Sequence, residues 1–239
     1  MPILARLAQD GMYRSQFETG TSNGGLTAYL GGNRWQWESR IFGQAYDRVA
    51  PQERPKYGSL NFRQRSVGGS PRFGSAHLRL SDDVLSRSTF CFPDSTFEPV
   101  HFGVAEKMSL IELAEDSHAD FLDDYIEAQV HGQVRLDRDV ETLVLNPCLR
   151  GTEVEALANA LPVPLEWHGG FRLSTHDLLR YPTYRGDEYV ALGLKIAQDG
   201  YIGAHIIGEA ARSGSYQEQA LKHVWHYVAH FEDSTNATP

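Results

Sequence analysis

The chain has 239 residues, 41% of them hydrophobic, which is enough for one large core or for a core with a helical appendix. Its net charge of -9 argues against tight non-specific binding to nucleic acid, whose backbone rewards clustered positive charge. No run of about 18 apolar residues occurs, so no spanning helix is expected. Met1-Pro2-Ile3-Leu4 lacks the basic-then-apolar pattern of a secretory signal. The expected location is therefore cytoplasmic, or outside the cell by a route that leaves no such signal.

In chain order, Ile3, Leu4, Leu7 and Ala8 have helical spacing that stops at Asp10-Gly11. Residues 13–33 are rich in Gly, Ser, Thr and Asn and read as a long functional loop. A helix is expected over 35–46, broken after Asp47 by Pro51 and Pro55. Strands follow at 57–62, at His77-Leu78-Arg79-Leu80, whose residues alternate, and at 89–92 before Pro93. A short helix is expected over 106–116 and a strand over 125–130. Residues 137–145 put Val140, Leu143 and Val144 on one helical face. Thr152 and Glu155 read as a capping box for a helix ending at Pro162, with a strand at 165–168. Three helices are expected over 189–197, 202–211 and 217–231. The order favours an α+β fold over a doubly wound parallel sheet. The expected divisions are a core at 1–182, a helical segment packed on it at 183–231, and a loose tail at 232–239.

The chemistry-bearing signals are sparse. Cys91 and Cys148 have neither metal nor disulfide spacing and are expected as reduced core residues. Arg54, Lys56, Arg63, Arg65 and Arg72 form a basic stretch, either a solvated loop or a site for an anionic ligand. His223, His226 and His230 fall at i, i+3 and i+7, but no zincin spacing accompanies them. A solvated histidine face is the expectation, and no metal. The glycines from Gly20 to Gly25 match neither a dinucleotide fingerprint nor a P-loop, though such backbone can approach a phosphate. Most informative is the strand around Glu127. Alternation places Tyr125, Glu127 and Gln129 on one face, and inward packing of Ile126, Ala128 and Val130 would hold the two polar groups at a cleft.

The stretches from Tyr13 to Gly25, Arg54-Pro55-Lys56-Tyr57-Gly58 and residues 125–132 resemble a bacterial family of unknown function across nearly the whole chain. More distantly, the order of parts resembles ADP-ribosyltransferases. That resemblance implies a split antiparallel or mixed β-sheet core that grips NAD, with flanking helices. It implies Glu127 as the catalytic carboxylate and Gln129 as a contact to the acceptor. For NAD it implies Tyr57 and Gly58 on one branch, or Arg14, Ser15, Ser88 and Thr89 on the other, with Gly20, Gly24 and Gly25 as loop contacts. The chain departs from both patterns: no histidine precedes His77, and Ser88-Thr89-Phe90 lacks the final serine. The implied activity is mono-ADP-ribosyl transfer to an unknown macromolecular or small-molecule acceptor. The alternatives are an NAD glycohydrolase and a non-enzymatic module that binds a protein partner through the acidic surface or the C-terminal helices.

Overall fold

The computed structural model describes residues 3–20 and 26–231. The tail at 232–239 and the glycines Gly24 and Gly25 lie outside the described residues. The chain opens with α1 (Ile3–Asp10), closed by Gly11 at φ +65°, then β1 (Met12–Tyr13) and α2 (Gln16–Thr19). Next come α3 (Asn33–Ile41), β2 (Lys56–Leu60), β3 (His77–Leu80), β4 (Ser88–Phe92) and β5 (His101–Val104). The middle continues with α4 (Leu110–Glu115), β6 (Ile126–Val130), β7 (Val134–Arg135), α5 (Leu136–Asp139) and β8 (Val140–Leu145). The last third holds α6 (Glu153–Asn159), β9 (Leu165–Trp167), β10 (Arg172–Ser174), α7 (Thr175–Leu178), α8 (Asp187–Ile196), β11 (Tyr201–Gly203), α9 (Ala204–Arg212) and α10 (Glu218–His230).

The fold is α+β with several sheets. The largest is antiparallel, in the order β2-β6-β4-β5, and the second runs β3-β8-β9 with β8 and β9 parallel. Two-stranded pairs β1-β7 and β10-β11 complete the set. Three apolar clusters hold these layers. Phe90, Phe92, Ile126 and Ala128 of the large sheet pack on Leu110 and Ala114 of α4. The second sheet packs Leu143 and Leu145 with Leu7 of α1 and Ala158 of α6. The helices α8 to α10 close around Leu122, Phe171, Leu173 and Leu178, so their cluster also draws on residues before position 182.

Several expectations change. Residues 140–145 form a central strand, not a helix, because Val140, Thr142 and Val144 are β-branched and Thr142 to Leu145 are buried on both faces. Their i, i+3, i+4 apolar spacing is a by-product of two-sided burial. Thr152 does cap α6, accepting from the Val154 N–H at 3.2 Å, but Glu155 reaches the Gly151 N–H rather than completing the box. The loop before Gly20 contains a capped turn of helix, α2. Cys91 is buried as expected, whereas Cys148 is exposed. The histidine face of α10 is not a solvated one: His226 is 2% exposed, and His223 and His230 are half-buried. Among the described residues, no helix is long and apolar enough to cross a membrane.

Candidate active site

Cross-strand partners in an antiparallel sheet share a face. Register therefore decides what meets Glu127. Ser59 on β2 and Cys91 on β4 lie opposite Glu127, while Tyr57 and Thr89 lie opposite Gln129. One face of the sheet thus gathers Tyr57, Ser59, Thr89, Cys91, Glu127 and Gln129. The helix α3 covers it with Arg34, Trp37 and Glu38, which have the i, i+3, i+4 spacing of one helical stripe and are all buried. The turn at Asp94 to Phe97 closes the remaining side, held by the Asp94 carboxylate accepting from the Thr96 N–H at 2.7 Å. The Tyr125 hydroxyl donates to the same carboxylate.

The hydrogen-bond partners of Glu127 all donate to it. Ser95 gives its hydroxyl at 2.8 Å and its N–H at 3.3 Å to Oε2, and the Gln129 amide gives Nε2–H to Oε1 at 3.0 Å. Arg34 Nη1 donates to Ser95 Oγ at 2.7 Å and stands 4.0 Å from Glu127 Oε1. The Arg34 guanidinium also lies over the Tyr57 ring, 3.9 Å from its centroid. Tyr57 in turn donates its hydroxyl to Glu38 Oε1 at 2.9 Å, and Glu38 Oε2 accepts from Arg54 Nη1 at 2.6 Å.

A second chain of bonds leads outward from Gln129. Thr89 has one hydroxyl proton, which goes to Gln129 Oε1 at 3.0 Å. Its oxygen must therefore accept from His131 Nε2 at 3.0 Å, which leaves His131 Nδ1 to accept from the Tyr46 hydroxyl at 2.6 Å. The imidazole is thereby fixed as the Nε2–H tautomer. All donors in the chain point toward Glu127.

Burial pushes the carboxyls of Glu127 and Glu38 above the usual range. Arg34, Ser95 and Gln129 pull Glu127 back, and Tyr57 and Arg54 pull Glu38 back. Burial also raises the Cys91 thiol, beside Glu127, which makes it a poor nucleophile. His131 is lowered by burial and by Arg87.

The structure brings Tyr57, Thr89, Glu127 and Gln129 together. It places the other expected residues elsewhere. Arg14 is exposed and pairs with Asp10 at 2.6 Å. Ser15 is the N-cap of α2 in a capping box with Glu18, and its hydroxyl donates to Pro51 O at 2.7 Å. Gly20 is the C-cap of that helix at φ +65°. Gly58 and Ser88 sit on the opposite sheet face, where the Ser88 hydroxyl donates to Val84 O at 2.8 Å. The basic stretch is dispersed into pairs: Arg54 with Glu38, Arg63 with Asp124 and Arg72 with Asp123.

The expected cleft is corrected as well. Glu127 is 6% exposed and lies beneath Arg34 and Ser95 because polar groups, not solvent, fill the space above it. A shallow cavity of about 390 Å³ lies on the outer side of α3, lined by Trp35, Gln36, Ser39, Arg40, Gly43 and Gln44, and does not reach Glu127. Among the described residues, no group of three or more His, Cys, Asp or Glu side chains is placed to hold a metal.

The model of the family described as "Protein of unknown function (DUF3626)" matches residues 2–115 and 101–233. Comparison with curated proteins found no match.

Proposed function

We propose that this chain, which belongs to that family, is an NAD-using ADP-ribosyltransferase with Glu127 as its catalytic carboxylate. One observation carries the reading. A carboxylate, an aromatic ring and a guanidinium converge on one sheet face, where apolar packing would be the more stable filling. A buried carboxylate whose pKa is raised by desolvation, beside a specific charge partner, makes Glu127 a functional-site candidate.

In this reading the bond between nicotinamide and ribose breaks with its electron pair leaving on nicotinamide, and the ribose becomes oxocarbenium-like. Glu127 accepts a hydrogen bond from a ribose hydroxyl and stabilises the developing positive charge. The acceptor attacks the anomeric carbon and loses its proton to the carboxylate. Tyr57 stacks on the nicotinamide, and Gln129 orients the acceptor. Arg34 moves off Ser95 to reach the pyrophosphate. Arg34 and Ser95 must shift for any substrate to touch Glu127, since they cover it.

Thermal melting with NAD tests binding, because ligand at about 100 times its dissociation constant adds roughly 2.7 kcal/mol. Radiolabelled NAD then separates transfer, which leaves label on an acceptor, from hydrolysis, which frees ADP-ribose. The burial of Glu127 favours a second reading, a non-enzymatic binding module in which the network is structural. No melting shift with millimolar NAD selects it.

A further inference from the structure

A second polar cluster lies where the C-terminal helices meet the core. Trp225 of α10 donates its indole N–H to Pro71 O at 2.9 Å, which seats the turn at Pro71 to Phe73 on this helix and brings Arg72 to its flank. The hydroxyl of Tyr227 accepts from the Arg185 N–H at 3.0 Å and so fixes the segment before α8 on the same helix. Four stretches of chain, around residues 72, 120–123, 184–185 and 223–230, therefore meet.

Their polar groups are incompletely matched. Arg72 pairs with Asp123, and Arg185 Nη2 reaches Asp120 at 3.5 Å. Asp120 also accepts from the Tyr184 hydroxyl at 2.9 Å and faces His230 Nδ1 at 3.6 Å. Several buried nitrogens have no hydrogen-bond partner among the described residues: Arg185 Nε, His223 Nδ1, His230 Nδ1 and the two ring nitrogens of His226, of which the neutral imidazole offers one as donor and one as acceptor. A buried donor left without a partner destabilises the fold, so a ligand that supplies acceptors there is favoured. His226 is held neutral, lowered to about 3 by burial and by Arg185, Arg72, His223 and Lys222 around it, while Glu188 faces His223. Asp120 and Asp123 neutralise part of the charge of Arg72 and Arg185, and the N–H groups left without partners suit an anion with several acceptor oxygens. Half-buried His223, and Arg185 at 22% side-chain exposure, provide the way in.

We infer that Arg72, Arg185, His223 and His226 form a binding site for a phosphate-class anion, independent of the Glu127 network. The oxygens of one tetrahedral anion match donors that approach from different stretches of chain. The anion is either free phosphate or the phosphate of a nucleotide.

Inorganic phosphate and a nucleoside diphosphate, titrated into the intact chain against chloride at equal ionic strength, test this by melting and calorimetry. Phosphate is expected to raise the melting temperature. Arg185→Gln and His226→Gln should each weaken binding about tenfold or more. Tighter binding of the diphosphate assigns the site to a nucleotide, and equal binding assigns it to free phosphate. Arg185 is partly exposed, so its variant keeps the test decisive even where His226→Gln fails to fold. No phosphate response in the parent chain, or an Arg185→Gln protein that binds as the parent does, overturns the site. The readout contains no NAD, so failure here leaves the transferase reading standing, and the reverse also holds.

Discussion

Strand β6 is buried on both sides, yet its two faces are built from different physics. Toward α4, Ile126 and Ala128 meet Phe90, Leu110 and Ala114 in a dry contact. Toward α3, Glu127 and Gln129 meet Arg34, Ser95 and Thr89 through directed bonds of 2.7 to 3.0 Å within the network. The apolar face gains from every atom it removes from water. The polar face roughly breaks even, since desolvating Arg34, Glu127, Glu38 and Arg54 offsets much of their mutual attraction. A fold that needed only stability would have filled both faces alike. On the proposed reading, the α3 side is the one kept for chemistry; on the second reading, its network is structural.

Substitutions on the two faces should separate these roles. The largest stability loss belongs to the apolar face: Phe90→Ala is expected to cost about 3–5 kcal/mol in urea unfolding, because the cavity cannot refill. Next is the Glu38–Arg54 pair, with side chains 0% and 5% exposed. Arg54→Met leaves Glu38 buried beside only the Tyr57 hydroxyl and the more distant Arg34, and should cost about 3 kcal/mol. Adding Glu38→Leu should recover much of that loss, and a double-mutant cycle reads the coupling directly. An additive double mutant would mean that the polar face carries no pairwise energy.

An effect of similar size comes from acid. His226 titrates in the fold at about 3 against an ordinary 6.5, so the unfolded chain takes the proton first. Its contribution is fully present above pH 6.5 and is lost as pH falls toward 3, at up to roughly 1.4 kcal/mol per pH unit. Glu127 and Glu38, raised by burial, act with the opposite sign: they contribute most below about 4.5 and lose that contribution as pH rises through their folded values. Urea midpoints between pH 7 and 4 should therefore fall more steeply for the parent chain than for His226→Gln. The smallest effect is at Arg14. Replacing this exposed i,i+4 partner of Asp10 with Ala should leave both the urea midpoint and NAD binding unchanged.

How much of this was readable in advance follows the range of the interactions. The strand at His77 to Leu80 and the helix α10 announce themselves through alternation and an apolar stripe, both local signals. Strand β8 does not, because two-sided burial erased the alternation that separates strand from helix. At the site, Glu127 and Gln129 were visible as polar residues on a β-prone segment, and Tyr57 only through the resemblance to ADP-ribosyltransferases. Arg34 and Ser95 were not, since their meeting spans 61 residues of chain and follows from the packing of α3 and the turn at residues 94–97 around Glu127. One signal was available: Arg34, Trp37 and Glu38 occupy a single helical stripe. Charges on a stripe shared with a tryptophan point to a buried pair rather than to solvent.

The measurement closest to the central claim is nicotinamide release from NAD by the intact chain and by Glu127→Gln, side by side. Replacing the carboxylate with a neutral group of the same shape removes charge stabilisation from the transition state, and a loss of about 100-fold or more is expected. Melting of both proteins confirms that each is folded. Equal release by both, or none from the parent chain, contradicts the assignment of Glu127 as a catalytic residue.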